Sequence, residues 1–199
     1  ENLDWIPYDA TRLSELINLR GFSPDDNLPV LMQRKIYTYN CLSAVVAYLG
    51  YILGYDDYAE AANDQVVVSF MEKIRSVIDR AVSTEFSVPL DEQHSFSKHA
   101  VEKFRNKEIK DTIDRNTRDS KRKLSENERL IAPLKLISKH GLASQELLSV
   151  CACACFYGMR QDGLDWHEVT DLLHSLPEDW QSGIIEEVRR LNHGENILG

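Results

Sequence analysis

The stretch RKIYTYNCLSAVVAYLGYILGY, residues 34–55, constrains the fold more than any other part of the chain. Val45, Leu49, Ile52 and Leu53 recur at helical spacing, and almost everything around them is apolar, so a buried helix is expected here. Lys35, Asn40 and Ser43 interrupt this apolar run. At about 100° per residue they fall near 0°, 140° and about 80° around an α-helix axis, on one broad face. The segment therefore reads as a core helix whose first turns present polar groups from a rigid support.

The rest of the chain follows the same period. Residues 1–29 look irregular, with Pro7, Gly21, Pro24, Pro29 and the turn-forming SPDDN, and are expected to act as a connector. Helices are expected over residues 30–54, in two pieces over 56–85, over 94–106 and 107–117, and over residues near 130–141, 145–160, 165–176 and 177–194. Ser144 is placed as an N-cap, Pro177 in a first turn, and Gly194 after a last one. A polar stretch, RDSKRKLSENER, lies between the early and late helices. No alternating strand pattern and no internal repeat is visible. The expected class is all-α, with residues 30–199 as one helical domain.

Charge narrows the partners. The 199 residues carry a net charge of -9, which argues against nucleic acid or an anionic membrane surface because no electrostatic attraction would drive either. No membrane-length apolar run and no secretory leader is evident, so a cytoplasmic protein is expected. CACAC, with Cys151, Cys153 and Cys155, lacks the spacing and the fourth ligand of a zinc site. With Cys41, these residues read as small core groups in a reduced compartment. His167 and His174 share a helix face without a third ligand, and the Tyr48, Tyr51, Tyr55 and Tyr58 stripe reads as packing.

Two constellations retain chemical interest. A lysine beside an apolar wall loses solvation of its charged form and becomes a base near neutral pH, which is the role open to Lys35. Asn40 is suited to donate an amide hydrogen bond to a developing alkoxide. Residues 115–129 hold six basic and three acidic residues inside an acidic chain. Arg122, Lys123 and Arg129 are the candidates there for a sugar-phosphate group, against the alternative of a solvated, partly ion-paired helix end.

The segment from Lys35 through Asn40 to AYLGY at Ala47–Tyr51 resembles the start of the C-terminal domain of the long-chain polyol (mannitol) dehydrogenase family. KFRNKEIKDTIDRNTRDSKRKLSENERLIAPLKL resembles that family's second block, in the form of its sugar-phosphate members. The resemblance implies Lys35 as general base, Asn40 as the partner of the reacting oxygen, and Ser43 where the family has a histidine. It implies an NAD cofactor held mainly by an N-terminal Rossmann domain, with a polyol or sugar phosphate as substrate. No glycine-rich dinucleotide turn occurs in this sequence, so the chain reads as a C-terminal domain expected to be inactive alone. A hydroxyl can neither carry an imidazole's charge nor span its length, so a divergent, non-catalytic binding module is the alternative.

Overall fold

The computed structural model describes residues 6–9, 11 and 19–198. The chain divides into two compact units, Glu1–Lys35 and Ile36–Gly199. The first contains strands β1 (Ile6–Asp9) and β2 (Phe22–Asp25), paired in parallel with Ile6 opposite Phe22, and helix α1 (Leu28–Lys35). The opening, expected to be irregular, thus holds one short parallel pair, while the all-α class stands. Each strand has only four residues and each contains a proline, so no alternation could show locally, and the pairing is a tertiary event. SPDDN does turn the chain, with Asp25 Oδ1 accepting from the Asn27 amide at 2.7 Å.

The second unit is helical. After a π-helical turn, Ile36–Asn40, come α2 (Cys41–Leu53), α3 (Tyr58–Asn63), α4 (Gln65–Phe86), α5 (Leu90–Phe104) and α6 (Ile113–Thr117). They are followed by α7 (Ser120–Lys123), α8 (Ile131–Lys139), α9 (Gln145–Gln161), α10 (Trp166–Leu173) and α11 (Glu178–Asn192). Helix α2 is the central element. Every residue from Cys41 to Gly50 except Ser43 is buried, and the helix packs on α3, α4, α6 and α9. Each large side chain enclosed there, such as Leu42, Tyr48 and Leu49, contributes about 1.5–3 kcal/mol of apolar burial. Gly50 permits the close crossing, since a Cβ there would stand 2.5 Å from Ile113 Cδ1 and 2.9 Å from Ala61 Cβ.

Caps terminate the helices as the residue types predict. Asp57, Asp64, Thr112, Ser144 and Asp165 each accept a first-turn amide of α3, α4, α6, α9 and α10. Gly54, at φ 79°, closes α2. Two expected starts move, and one further helix appears. Helix α5 starts at Leu90, directly after Pro89, and α6 starts only at Ile113 because Asp57 and Thr112 form an antiparallel bridge. The polar stretch contains α7, entered through Asp119 at φ 63°. The apolar content of the helical run Leu28–Leu53 also exceeds expectation. An 18-residue window of it has mean hydropathy 1.4, with 56% of the window buried, as in a core helix.

Candidate functional site

The site is built around the π turn. Its sequence, IYTYN, is β-branched and aromatic, which lowers α-helical propensity and lets side-chain contacts set the backbone. Tyr37 stacks on Phe86 at 6.1 Å, and Tyr39 meets Phe96 and Phe104 edge-on at 6.1 and 5.4 Å. Thr38 is fully buried between them. A turn closed by i→i+5 bonds advances less than 100° per residue, so the angular positions expected for an unbroken α-helix do not carry through residues 36–40.

Of the three residues expected to act together, Asn40 and Ser43 lie in the second unit, whereas Lys35 closes α1 in the first. Lys35 is exposed, so the expected apolar wall does not cover it. Asn40 is half-buried and helical at φ -71° and ψ -35°, and its side chain does not cap α2. Ser43 is half-buried, and its Oγ accepts a 3.0 Å hydrogen bond from Tyr58 Oη, which also reaches the Ser43 carbonyl at 3.3 Å. Burial pushes the Tyr58 phenol well above its ordinary pKa, which keeps it a donor.

Sequence reasoning placed Tyr58 in the packing stripe, and its ring does pack, edge-on to Phe104 at 5.9 Å. Its bond to Ser43 depends on the loop between α2 and α3, and no local signal announces it.

The basic segment is drawn onto helix α9. Ser120 donates twice to Asp162 Oδ2, from its amide at 2.7 Å and its hydroxyl at 2.6 Å, pinning α7 to the end of α9. Lys123 is consequently only 5% exposed, with Nζ donating to the Asn116 carbonyl at 2.7 Å. Desolvation brings its pKa down to about 8, and the charges of Arg129 and Arg122 push in the same direction. Arg122 is occupied by Asp119 at 2.5 Å and Glu128 at 2.9 Å. Arg129 uses Nε on Glu128 at 3.3 Å. Its charge weakly opposes the burial that raises the pKa values of Cys41, Tyr48 and Tyr58. Lys123 is thus the buried cation of the segment, while Arg122 and the half-buried Arg129 share Glu128.

Other groups serve structure. The four cysteines are buried thiols within the core. Among the described residues, no three His, Cys, Asp or Glu side chains converge as a metal group. His167 is exposed and pairs with Asp171 at 3.3 Å, and His174 is exposed at the end of α10. A cleft of about 290 Å³ is lined by Tyr37, Glu85, Glu126, Lys135 and Lys139. Its charges are matched internally, by the Lys135–Glu126 pair and by Lys139 and His140 on Glu85 at 2.7 and 2.8 Å.

Comparison with known proteins places this geometry. Residues 27–181 match the model of the mannitol dehydrogenase C-terminal domain. A mannitol-1-phosphate 5-dehydrogenase of Thermoanaerobacter pseudethanolicus is 30% identical over 146 residues, 73% of this chain and 38% of that protein. The enzyme of the same name from Enterococcus faecalis is 26% identical over 98% of this chain and 50% of its own length. The chain therefore spans half or less of these relatives. In structure it resembles Pseudomonas fluorescens mannitol 2-dehydrogenase, solved as a ternary complex with NAD and D-mannitol. The TM-score is 0.65 at 16% identity, over 91% of this chain and 43% of that one.

Proposed function

Because this chain belongs to the mannitol dehydrogenase family, through that family's C-terminal domain, we propose that it is the substrate-binding and catalytic domain of an NAD(P)-dependent polyol or sugar-phosphate dehydrogenase. The interconverted pair would be of the mannitol 1-phosphate and fructose 6-phosphate type. The observation that supports the phosphate is the buried ammonium of Lys123, crowded by the charges of Arg129 and Arg122. Crowded, poorly solvated positive charges are stabilised by a bound dianion, and the arginine fork suits two of its oxygens.

In this reading Lys35 takes the proton of the hydroxyl being oxidised. An exposed ammonium must lose solvation to act as a base near neutral pH, and closure of substrate and the N-terminal domain over Lys35 would supply that. Asn40 donates its amide to the reacting oxygen as negative charge develops. Ser43 receives the Tyr58 hydrogen bond, which polarises its own hydroxyl for donation to a substrate oxygen. These residues include no glycine-rich phosphate turn, so the dinucleotide would be held by the N-terminal domain. When bound, the nicotinamide supplies the hydride acceptor.

The Ser43–Tyr58 pair also supports a second reading. With a phenol ring filling the space beside position 43, the site resembles one repacked after losing an imidazole, as in a non-catalytic binding module. The deciding experiment is NADH and NADPH oxidation by the full-length protein with fructose 6-phosphate, fructose and uronates, beside Lys35→Ala. Turnover that disappears in Lys35→Ala supports the dehydrogenase with Lys35 as base. A folded, cofactor-binding protein without turnover on any substrate supports the binding module.

A further inference from the structure

The π turn is joined, at Thr38, to a buried polar chain that the chemistry above does not use. Thr38 Oγ1 accepts a 2.9 Å hydrogen bond from Gln93 Nε2, and the same amide nitrogen donates to Asp79 Oδ1 at 3.2 Å. Ser97 Oγ donates to Asp79 Oδ2 at 2.7 Å, and His94 Nδ1 approaches that oxygen at 3.3 Å. Thr38, Asp79, Gln93 and Ser97 are all buried. One carboxylate on α4 is thus enclosed against α5, and one amide links it to one hydroxyl in the middle of the turn. A primary amide has two N–H bonds, which matches the two acceptors that Gln93 serves.

Stability does not explain this arrangement. Enclosing a carboxylate is costly even with the charges of Arg75 and His94 near it, and apolar side chains of similar volume usually join two helices at least as well. Apolar packing cannot select a hydrogen-bond phase. A π turn, a form adopted by well under about 1% of residues and concentrated at functional sites, needs such a selection against the ordinary α-helical repeat.

We propose that Gln93, oriented by Asp79, is a positioning residue: through Thr38 it holds residues 36–40 in the π form and so fixes the aim of Asn40. The proposal rests on the reading of Asn40 as donor to the reacting oxygen. Thr38 and Asn40 share one turn, so relaxation of that turn toward the α repeat rotates the Asn40 amide about the helix axis. A displacement of about 1 Å at such a donor is enough to cost about 100-fold in rate.

The test uses the full-length protein with Thr38→Val, which keeps the shape and removes the acceptor, and Thr38→Ser, which keeps the acceptor. Gln93→Met breaks the same bond from α5 and replaces Thr38→Val if that variant does not fold. Hydrogen exchange of the amides in residues 36–43 is expected to be about tenfold faster in Thr38→Val, with α9 unchanged and Thr38→Ser close to the parent. In the active protein, kcat is expected to fall about tenfold or more in Thr38→Val while KM for the cofactor stays within about twofold, and Thr38→Ser recovers kcat.

Unchanged exchange in folded Thr38→Val overturns the proposal, as does faster exchange with unchanged kcat. The exchange measurement needs no turnover. If the parent is inactive, the dehydrogenase reading fails separately, while exchange still decides whether the buried chain holds the turn.

Discussion

Replacing Lys123 by methionine removes a buried ammonium and keeps a stem of similar length. The folded protein holds the Lys123 proton with a pKa of about 8, against 10.5 for an ordinary lysine. At about 1.4 kcal/mol per pH unit, the folded state disfavours the charge by about 3 kcal/mol. Below pH 8 both folded and unfolded chains carry the charge, so the full penalty is present. Between 8 and 10.5 the folded chain has released the proton that the unfolded chain still binds, so stability rises with pH across that window.

Methionine also gives up the 2.7 Å bond to the Asn116 carbonyl, which offsets about 1 kcal/mol. Lys123→Met is therefore expected to be more stable than the parent by about 1–2 kcal/mol near neutral pH, an advantage that shrinks toward pH 10. Urea unfolding followed by circular dichroism, from about pH 7 to about pH 10, measures this difference. The same substitution is expected to raise KM for a phosphorylated substrate about tenfold and to affect the free polyol much less. A variant less stable than the parent near pH 7, with a difference that stays constant to pH 10, would refute the account of Lys123 as a desolvated, repelled cation.

Three further outcomes are expected. Ser43→His forces an imidazole against the buried Tyr58 ring, so it should lower stability by about 1–3 kcal/mol and should not raise turnover by itself; thermal unfolding and the dehydrogenase assay check both. Gly158→Ala places a Cβ 2.5 Å from Leu164 Cδ1 and 2.6 Å from Ser120 Oγ, disturbing the pin that buries Lys123. Its net cost should be about 1–2 kcal/mol after the helical preference of alanine is counted, read as a lower urea midpoint. Arg129→Gln removes a charge that depresses the Lys123 pKa, so that pKa should move up from about 8, as titration of isotope-labelled lysine would show.

The sequence by itself determined the helical class, the central helix and most helix ends. These follow from short-range rules: a 3.6-residue apolar period, a side chain such as Ser144 reaching an amide three residues on, and Gly54 accepting a left-handed backbone. It also identified Lys35, Asn40, Ser43 and the basic segment as the groups worth testing, because a motif with fixed spacing is a local property.

Tertiary structure decided what those groups meet. The parallel pairing of β1 and β2, the delayed start of α6 and the phase of residues 36–40 all depend on partners far along the chain. So do the Tyr58 hydroxyl on Ser43, fifteen residues away, and the burial of Lys123 under α9. Of three basic candidates that look alike in sequence, Arg122 and Arg129 are paired with carboxylates, while Lys123 is enclosed on a backbone carbonyl. Desolvation and charge pairing fall off over a few ångströms of space whatever the separation in sequence, so only the folded chain could separate them.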